Sequence, residues 1–182
     1  MKTIRDLASP PLHTAGRIEL IVVRGDSRAP ARSVEATRAL AGIGLADDRL
    51  GARGEAELST RQVTLIQHEH LPVIAQLARV AAVDPLGLRR NLVISGLNLA
   101  ALKNRRLRVF DEAFSEVSDK VIDPAQPQAL LEIVGPCHPC SRMEETIGPG
   151  GYLAMRGHGG MTARVLGSGW IRVGARVTVE PG

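Results

Sequence analysis

The segment from Leu131 to Gly160 contains both cysteines of the chain and two of its five histidines. An apolar run that predicts a strand ends at Gly135-Pro136, and Cys137 follows it directly. Because a Gly-Pro pair stops both helices and strands, this pattern predicts a thiol at the start of a loop held by a sheet. Loops positioned by a rigid scaffold are where binding and catalytic residues concentrate. The thiols are therefore the first candidates for chemistry.

Cys137 and Cys140 form a C-H-P-C motif, and the residues after it, including Arg142, are compatible with a helical turn. A helix dipole and a neighbouring guanidinium would both stabilise a thiolate there. Three functions fit the motif: a thioredoxin-like redox pair, a structural zinc site, or one thiolate acting as nucleophile or soft-metal ligand. A redox pair would follow an early strand of a βαβ unit, and His138 and His158 are poorly placed as further zinc ligands. The third function is favoured, and two small buried cysteines without chemistry are the alternative.

Arginines near predicted strand starts are candidate anion-binding residues. Arg89 and Asn91 are two apart in a predicted strand, so their side chains should share a face that could hold a phosphate or a polar heterocycle. Arg61 opens another predicted strand, and Asp48-Arg49 follows two glycines. Taken singly, each of these residues is equally well explained as a solvated surface group.

The glycine-rich segment from Gly148 to Gly160 lacks the Gly-Lys-Ser/Thr ending of a phosphate-binding loop, so it predicts no nucleotide site. Its glycines are expected to allow tight turns around His158. The imidazole of His158 could act as an acid or base, or could hydrogen-bond the loop.

The composition is that of an ordinary soluble globular protein, with 44% hydrophobic and 23% charged residues among 182. This length suits one substantial core, so we expect a single domain over residues 1–182. A net charge of +4 invites a nucleic-acid function, but aromatic residues make up only 2% and leave few rings for base stacking. We expect no nucleic-acid or membrane partner. Without an apparent secretory leader, we also expect a cytoplasmic location, where a CxxC is more often reactive than structural.

Short β-rich runs with turn signals between them make up most of the chain, which predicts a mainly β fold with some α, as a barrel or two packed sheets. The predicted strands are Arg17–Arg24, Arg61–Gln67, Arg90–Ser95, Leu107–Phe110, Leu130–Val134, Thr162–Leu166 and Trp170–Val179. Leu71 to Val80 has the spacing of an amphipathic helix, Asp84-Pro85 resembles a second helix start, and Ser33 to Gly42 fits either element. Residues 1–15 are predicted as a loose extension and Asp119 to Gln128 as an exposed insertion.

In order along the chain, these motifs resemble the MOSC family, named for the C-terminal domain of molybdenum cofactor sulfurase. The similarity is closest to the small stand-alone bacterial members and rests on RQVTLIQ, RRNLVISG, GPCHPCSRM, RGHGGMTARVL and GWIRVGARVTV. Family members commonly read G-L-E-G-D-R-H/Y where this chain has Gly44 to Leu50. Asp48 and Arg49 match that motif, whereas Asp47 and Leu50 depart from it.

The resemblance implies a β-barrel with peripheral helices and a pocket lined by strand ends. It also implies that Cys140, which follows Pro139, is the catalytic cysteine and binds either a sulfur atom or the molybdenum of a pyranopterin cofactor. Cys137 matches an accessory cysteine found in a subset of members. We assign cofactor binding to residues that match the family or lie near those that do: Arg89, Asn91, Asp48, Arg49, Arg61 and His158.

Two functions follow from this resemblance. The first is a molybdenum-cofactor-dependent reductase of N-hydroxylated bases or amines, acting on a small molecule with electrons from an external donor protein. A donor protein is required because the sequence carries no flavin or iron–sulfur motif. The second is a non-catalytic carrier that holds sulfur or the cofactor and hands it on.

Overall fold

The structure is a computed structural model that describes residues 15–25, 29–49, 59–110 and 128–181. The predicted N-terminal extension and most of the predicted insertion from Asp119 to Gln128 lie outside the described residues.

Strands dominate the described part of the chain, as expected. They are β1 (Ala15–Val23), β2 (Arg32–Ser33), β3 (Ala36–Leu40), β4 (Gly44–Leu45), β5 (Val63–Gln67), β6 (Leu92–Ser95), β7 (Arg106–Phe110), β8 (Ala129–Pro136), β9 (Met161–Gly167), β10 (Gly169–Arg172) and β11 (Arg176–Val179). The helices are α1 (His70–Ala78), α2 (Arg142–Ile147) and α3 (Gly151–Met155), with a 3-10 turn at Leu99–Leu102. None of these helices has the length and apolar character needed to cross a membrane.

Seven strands close into a barrel in the order β11-β7-β8-β9-β5-β6-β1, and pairing of β1 with β11 completes the circle. Neighbouring strands are antiparallel except β5 and β6, which run parallel across the connection that contains α1. A smaller sheet of β10, β3 and β4 lies apart from this order. The predicted mainly β barrel with peripheral helices is confirmed.

The barrel core follows from alternation along the strands. In β8, Ala129, Leu131 and Ile133 are fully buried while the residues between them are partly exposed. A second apolar cluster lies where the helices cover the outside of β5 and β6, with Ile66 and Val93 packed near Ile74 and Met155. These two strands are buried on both faces, which explains their nearly continuous apolar sequences.

Helix α1 agrees with the prediction to within two residues at its C-terminal end. Proline is tolerated at Pro72 because the first turn of a helix has unpaired N–H groups. The helix ends at Ala78, and the left-handed backbone of Arg79, with φ of 57°, lets the N–H of Val80 bond back to the carbonyl of Ala75.

The predicted helix start at Asp84-Pro85 is wrong. The Asp84 carboxylate accepts the N–H of Leu86, and i to i+3 bonds continue through Gly87 and Leu88, so the segment forms turns. Too few residues remain before β6 for a helix to develop.

Two predicted strand boundaries also differ from the structure. The run from Trp170 to Val179 is split at Gly174, whose φ of 88° makes the turn that sends β10 to the small sheet and β11 to the barrel. Strand β8 continues through Gly135 to Pro136, because an irregularity in its pairing with β9 absorbs the glycine. Proline is tolerated at the last position of the strand.

Gly160 fixes the approach of the glycine-rich segment to the barrel. It has φ of 88°, and a Cβ at this position would lie 1.9 Å from the carbonyl oxygen of Leu65. Gly157 also has positive φ, of 84°, but open space surrounds its Cα. A side chain at either glycine would strain the backbone, but only a side chain at Gly160 would also clash with a neighbouring segment.

We expect Gly160→Ala to lower the free energy of unfolding by about 3 kcal/mol or more, because the new methyl group meets backbone that cannot yield. Gly157→Ala should cost only about 1–2 kcal/mol, the price of a left-handed alanine. Urea denaturation of the two variants beside wild type measures both values. Equal losses would show that the contact with Leu65 is unimportant.

Candidate functional site

A pocket of about 350 Å³ opens where β1 ends and where β5 and β6 begin. We call it the arginine-rich pocket, since Arg24, Arg49, Arg61 and Arg89 all line it. The rest of its wall is formed by Val22, Val23, Ala31, Asp48, Gln62, Thr64 and Asn91. Five of the residues predicted to bind a cofactor are thus brought together: Asp48, Arg49, Arg61, Arg89 and Asn91.

Positive charge exceeds negative charge in this pocket, with four guanidinium groups and the single carboxylate of Asp48 among the lining residues. Elsewhere in the described structure arginines pair with carboxylates, as Arg108 does with Glu180 and Arg164 with Glu132. No such ion pair involves the four pocket arginines within the described ranges. The pocket therefore favours an anionic ligand with several acceptor oxygens.

Arg24 is the pocket arginine that the sequence did not suggest. Its main-chain N–H donates to a carboxylate oxygen of Asp48 at 2.8 Å, while its side-chain Nε is buried and has no hydrogen-bond partner in the described structure. Burial lowers the pKa of Arg24, the charge of Arg89 lowers it further, and Asp48 opposes both. An unpartnered buried donor costs free energy, which an oxyanion in the pocket would recover. Its position at the end of an ordinary strand gave no local signal.

Arg89 and Asn91 line the pocket from the segment before β6, and not from within a strand as predicted. Strand β6 begins only at Leu92, and Arg89 has a left-handed backbone with φ of 59°. The two side chains therefore do not share a strand face as predicted, because neither residue is in the strand. Both nonetheless line the pocket.

The side chain of Asn91 connects strands β1 and β5 to the residue that precedes β6. Its Oδ1 accepts hydrogen bonds from the N–H of Thr64 at 3.0 Å and from the Thr64 hydroxyl at 2.8 Å. Its Nδ2 donates to the carbonyl of Val22 at 3.2 Å. Asn91 thus holds β1 and β5 to the start of β6 and forms part of the pocket wall.

The cysteine loop, Cys137 to Cys140, starts where β8 ends, as predicted. The N–H of Cys137 donates to the carbonyl of Gly160 at 2.9 Å, so the loop is tied to the glycine-rich segment. Both thiols are free: Cys137 is partly buried and Cys140 is exposed. Burial raises the pKa of Cys137, and the charges of Arg90 and Arg61 oppose that rise.

Helix α2 begins at Arg142, directly behind the loop, which confirms the predicted helical turn. The N–H of Met143 donates to the carbonyl of Cys140, which joins the loop to the helix. Glu144 in the first turn accepts from the N–H groups of Gly150 and Tyr152, and so connects α2 to α3.

Charges of the pocket and of the cysteine loop act on each other, although Cys137, Cys140 and His158 are not among the described residues that line the pocket. Arg61 lines the pocket, and its charge acts on the thiol of Cys137. Arg142, two residues beyond Cys140, acts in turn on Arg24. One ligand could therefore contact both regions only by extending from the pocket toward the loop.

His158 lies against His70, with the two rings edge to face at 5.1 Å. The Nδ1 atoms of both rings are buried without a partner among the described residues. Burial lowers the pKa of His70, and the charge of His158 lowers it further. Within the described ranges, no group of three or more His, Cys, Asp or Glu side chains could hold a metal ion. The zinc alternative therefore gains no support from these residues.

The sequence of this chain matches a known protein family. A family model described as the MOSC domain matches residues 47–178. The chain belongs to the MOSC domain family. Proteins of curated function show no significant sequence match to it.

Solved structures share the fold of this MOSC protein. The crystal structure of the YuaD protein from Bacillus subtilis has a TM-score of 0.71 at 17% identity, over 91% of this chain and 95% of that one. YiiM from Geobacillus stearothermophilus has a TM-score of 0.64 at 16% identity, over 91% and 75% of the two chains. YiiM from Escherichia coli has a TM-score of 0.55 at 18% identity, over 91% and 70%. At these identities the likeness shows the fold, and the family match supports a molybdenum-cofactor-related domain.

We expect Asn91→Ala to lower the free energy of unfolding by about 2–4 kcal/mol, because it leaves the Thr64 N–H and the Val22 carbonyl without partners. Asn98, which is exposed and makes no side-chain capping bond, provides the control, and Asn98→Ala should cost less than about 0.5 kcal/mol. Chemical denaturation measures both. Wild-type stability of Asn91→Ala would contradict its role in connecting the strands.

Proposed function

We propose that this MOSC protein binds a molybdenum pyranopterin cofactor and uses it to reduce N-hydroxylated bases or amines. The observation that carries the proposal is the arginine-rich pocket, with its partnerless buried Arg24 Nε, beside a loop that exposes a free thiol at Cys140. Such a reductase would work in the cytoplasm, where thiols stay reduced.

The pocket fits the phosphate-bearing part of the cofactor. Guanidinium groups bind phosphate oxygens in pairs of parallel hydrogen bonds, and Arg24, Arg61 and Arg89 bring such groups to one cavity from three segments of the chain. The cavity volume of about 350 Å³ lies near the lower end of the usual range for small-molecule sites. This size suits the phosphate and adjoining ring better than the complete cofactor, so the rest would extend toward the cysteine loop.

Cys140 is the residue that would hold the metal. A thiolate is a soft ligand that suits molybdenum, and the exposed position of Cys140 leaves it accessible to a bound cofactor and substrate. The chemistry supplied by the cofactor when bound is two-electron reduction of the substrate, with the oxygen of the N–O bond released as water. The chain itself binds the anionic end and presents the thiol.

Electrons would come from an external donor protein, since the sequence holds no flavin or iron–sulfur motif. The exposed thiol at Cys140 also favours a second candidate, a carrier that holds sulfur or the cofactor and passes it on. Metal and sulfur analysis of protein from a cofactor-producing host separates the two. Near-stoichiometric molybdenum with reductase turnover supports the enzyme, and sulfane sulfur without molybdenum supports the carrier.

We expect Arg89→Lys to reduce cofactor retention about tenfold although the charge is kept, because an ammonium group cannot make the paired contact of a guanidinium. The matched control is Arg176→Lys, at an exposed position of β11 outside the pocket lining. Molybdenum and phosphate content after gel filtration measures retention. Unchanged retention in Arg89→Lys would remove Arg89 from the binding site.

The two cysteines should differ in function. We expect Cys140→Ser to abolish molybdenum or sulfur loading in a folded protein, because a hydroxyl does not ionise near neutral pH and is a poor soft-metal ligand. Cys137→Ser should leave loading largely intact. Metal and sulfane-sulfur analysis of both variants is the measurement. If the loss of Cys137 empties the site, the assignment is reversed, and if neither change matters, the thiols have no role in loading.

A further inference from the structure

We infer that Arg90 is the positioning residue of the cysteine loop, where its guanidinium fixes the backbone from the buried side and its positive charge acts on both thiols. The inference deepens the proposed function and rests on it, because it names the residue that prepares the sulfur ligand. Arg90 lies between the predicted site residues Arg89 and Asn91 but was not itself predicted as one.

Arg90 bonds to three separate segments. Its Nε donates to the carbonyl of Gly159 at 2.6 Å and its Nη1 to that of Leu88 at 3.0 Å. Its Nη2 donates to the carbonyl of Cys137 at 3.2 Å and approaches that of His138 at 3.5 Å. The cysteine loop, the glycine-rich segment and the start of β6 thus share one guanidinium as their common donor.

The cysteine loop and the glycine-rich segment approach each other too closely for a side chain at Gly159. A Cβ on Gly159 would lie 2.6 Å from the Cys137 carbonyl oxygen and 3.4 Å from Arg90 Nη2. The absence of a side chain at Gly159 lets the guanidinium bond directly to both backbones. The position of the Cys137 carbonyl is therefore set by Arg90.

The charge of Arg90 has no carboxylate to balance it in the described structure. Its side chain is only 6% exposed, and all its hydrogen bonds go to neutral carbonyl groups. Burial lowers the pKa of Arg90, while ionised thiols at Cys137 and Cys140 act in the opposite direction. A buried unpaired cation is costly, so the natural complement of Arg90 is a negative sulfur or a negative group bound to it.

A structural arginine would need only its hydrogen bonds, whereas the positioning residue of a sulfur ligand also needs its charge. Two substitutions separate these contributions. Arg90→Gln keeps two N–H donors and removes the charge, and Arg90→Lys keeps the charge together with three N–H donors. Cys137→Ser provides a background with Cys140 as the sole thiol, and it preserves the backbone carbonyl to which Arg90 bonds.

The measurement is the ratio of alkylation rates of Cys140 with iodoacetate, an anion, and iodoacetamide, which is neutral, at one pH in cofactor-free full-length protein. Arg90→Gln should lower this ratio about threefold to tenfold, as expected for loss of one unit charge near a partly solvated thiol. Arg90→Lys should keep the ratio within about twofold of the parent, since the charge remains. The matched control Arg156→Gln, at an exposed residue beyond α3, should leave the ratio unchanged.

An unchanged ratio in Arg90→Gln would overturn the inference, and so would equal losses in Arg90→Gln and Arg90→Lys or a loss in Arg156→Gln. If Arg90→Gln does not fold, the parent protein is compared with the peptide Ser-His-Pro-Cys-Ser-Arg-Met, which keeps Arg142 but lacks Arg90. Equal ratios in protein and peptide would then overturn it. Because no cofactor is present, failure of molybdenum loading leaves this test unaffected, and the two proposals can fail independently.

Discussion

The run Arg89-Arg90-Asn91 is the constraint on which the site depends. The left-handed backbone at Arg89, which costs about 1–2 kcal/mol for a residue with a side chain, turns three successive polar side chains in different directions. Arg89 lines the pocket, Arg90 is buried against the cysteine loop, and Asn91 connects β1 with β5. In a regular strand these side chains would alternate between two faces only. The Thr64 hydroxyl accepts the N–H of Asn91 and helps to hold this geometry.

Patterns that depend on neighbouring residues were predictable from the sequence. The alternation of buried positions in β8, the spacing of α1 and the short helix behind the cysteines all follow from local periodicity. The split between β10 and β11 was missed because it depends on which sheet each half joins, although Gly174 marks the turn. The helix predicted at Asp84-Pro85 failed because a proline after an aspartate begins a turn as readily as a helix.

For the candidate site, the chemical type of a residue was a better guide to its role than its predicted place on a strand. Arginine and amide side chains near strand starts led to Arg89, Asn91 and Arg61, and the closed barrel brings them to one pocket. Arg24 and Arg90 were missed, because their importance arises from burial and from partners far along the chain. Arg90, for example, bonds to carbonyls 47 and 69 positions away. No local pattern records such contacts, and in the sequence a buried arginine looks the same as a solvated one.

The two cysteines of the C-H-P-C motif differ in their backbone contacts, their exposure and the charges that act on them. Cys137 is tied to Gly160 through its N–H and to Arg90 through its carbonyl, so it is the fixed end of the loop. Its thiol is partly buried, and the charges of Arg90 and Arg61 only oppose the effect of burial on its pKa. Cys140 lies three residues further along the chain and is exposed, and its carbonyl accepts the N–H of Met143 in the first turn of α2. The proposed ligand Cys140 is thus the exposed end of the motif, and Cys137 is the end held by backbone hydrogen bonds.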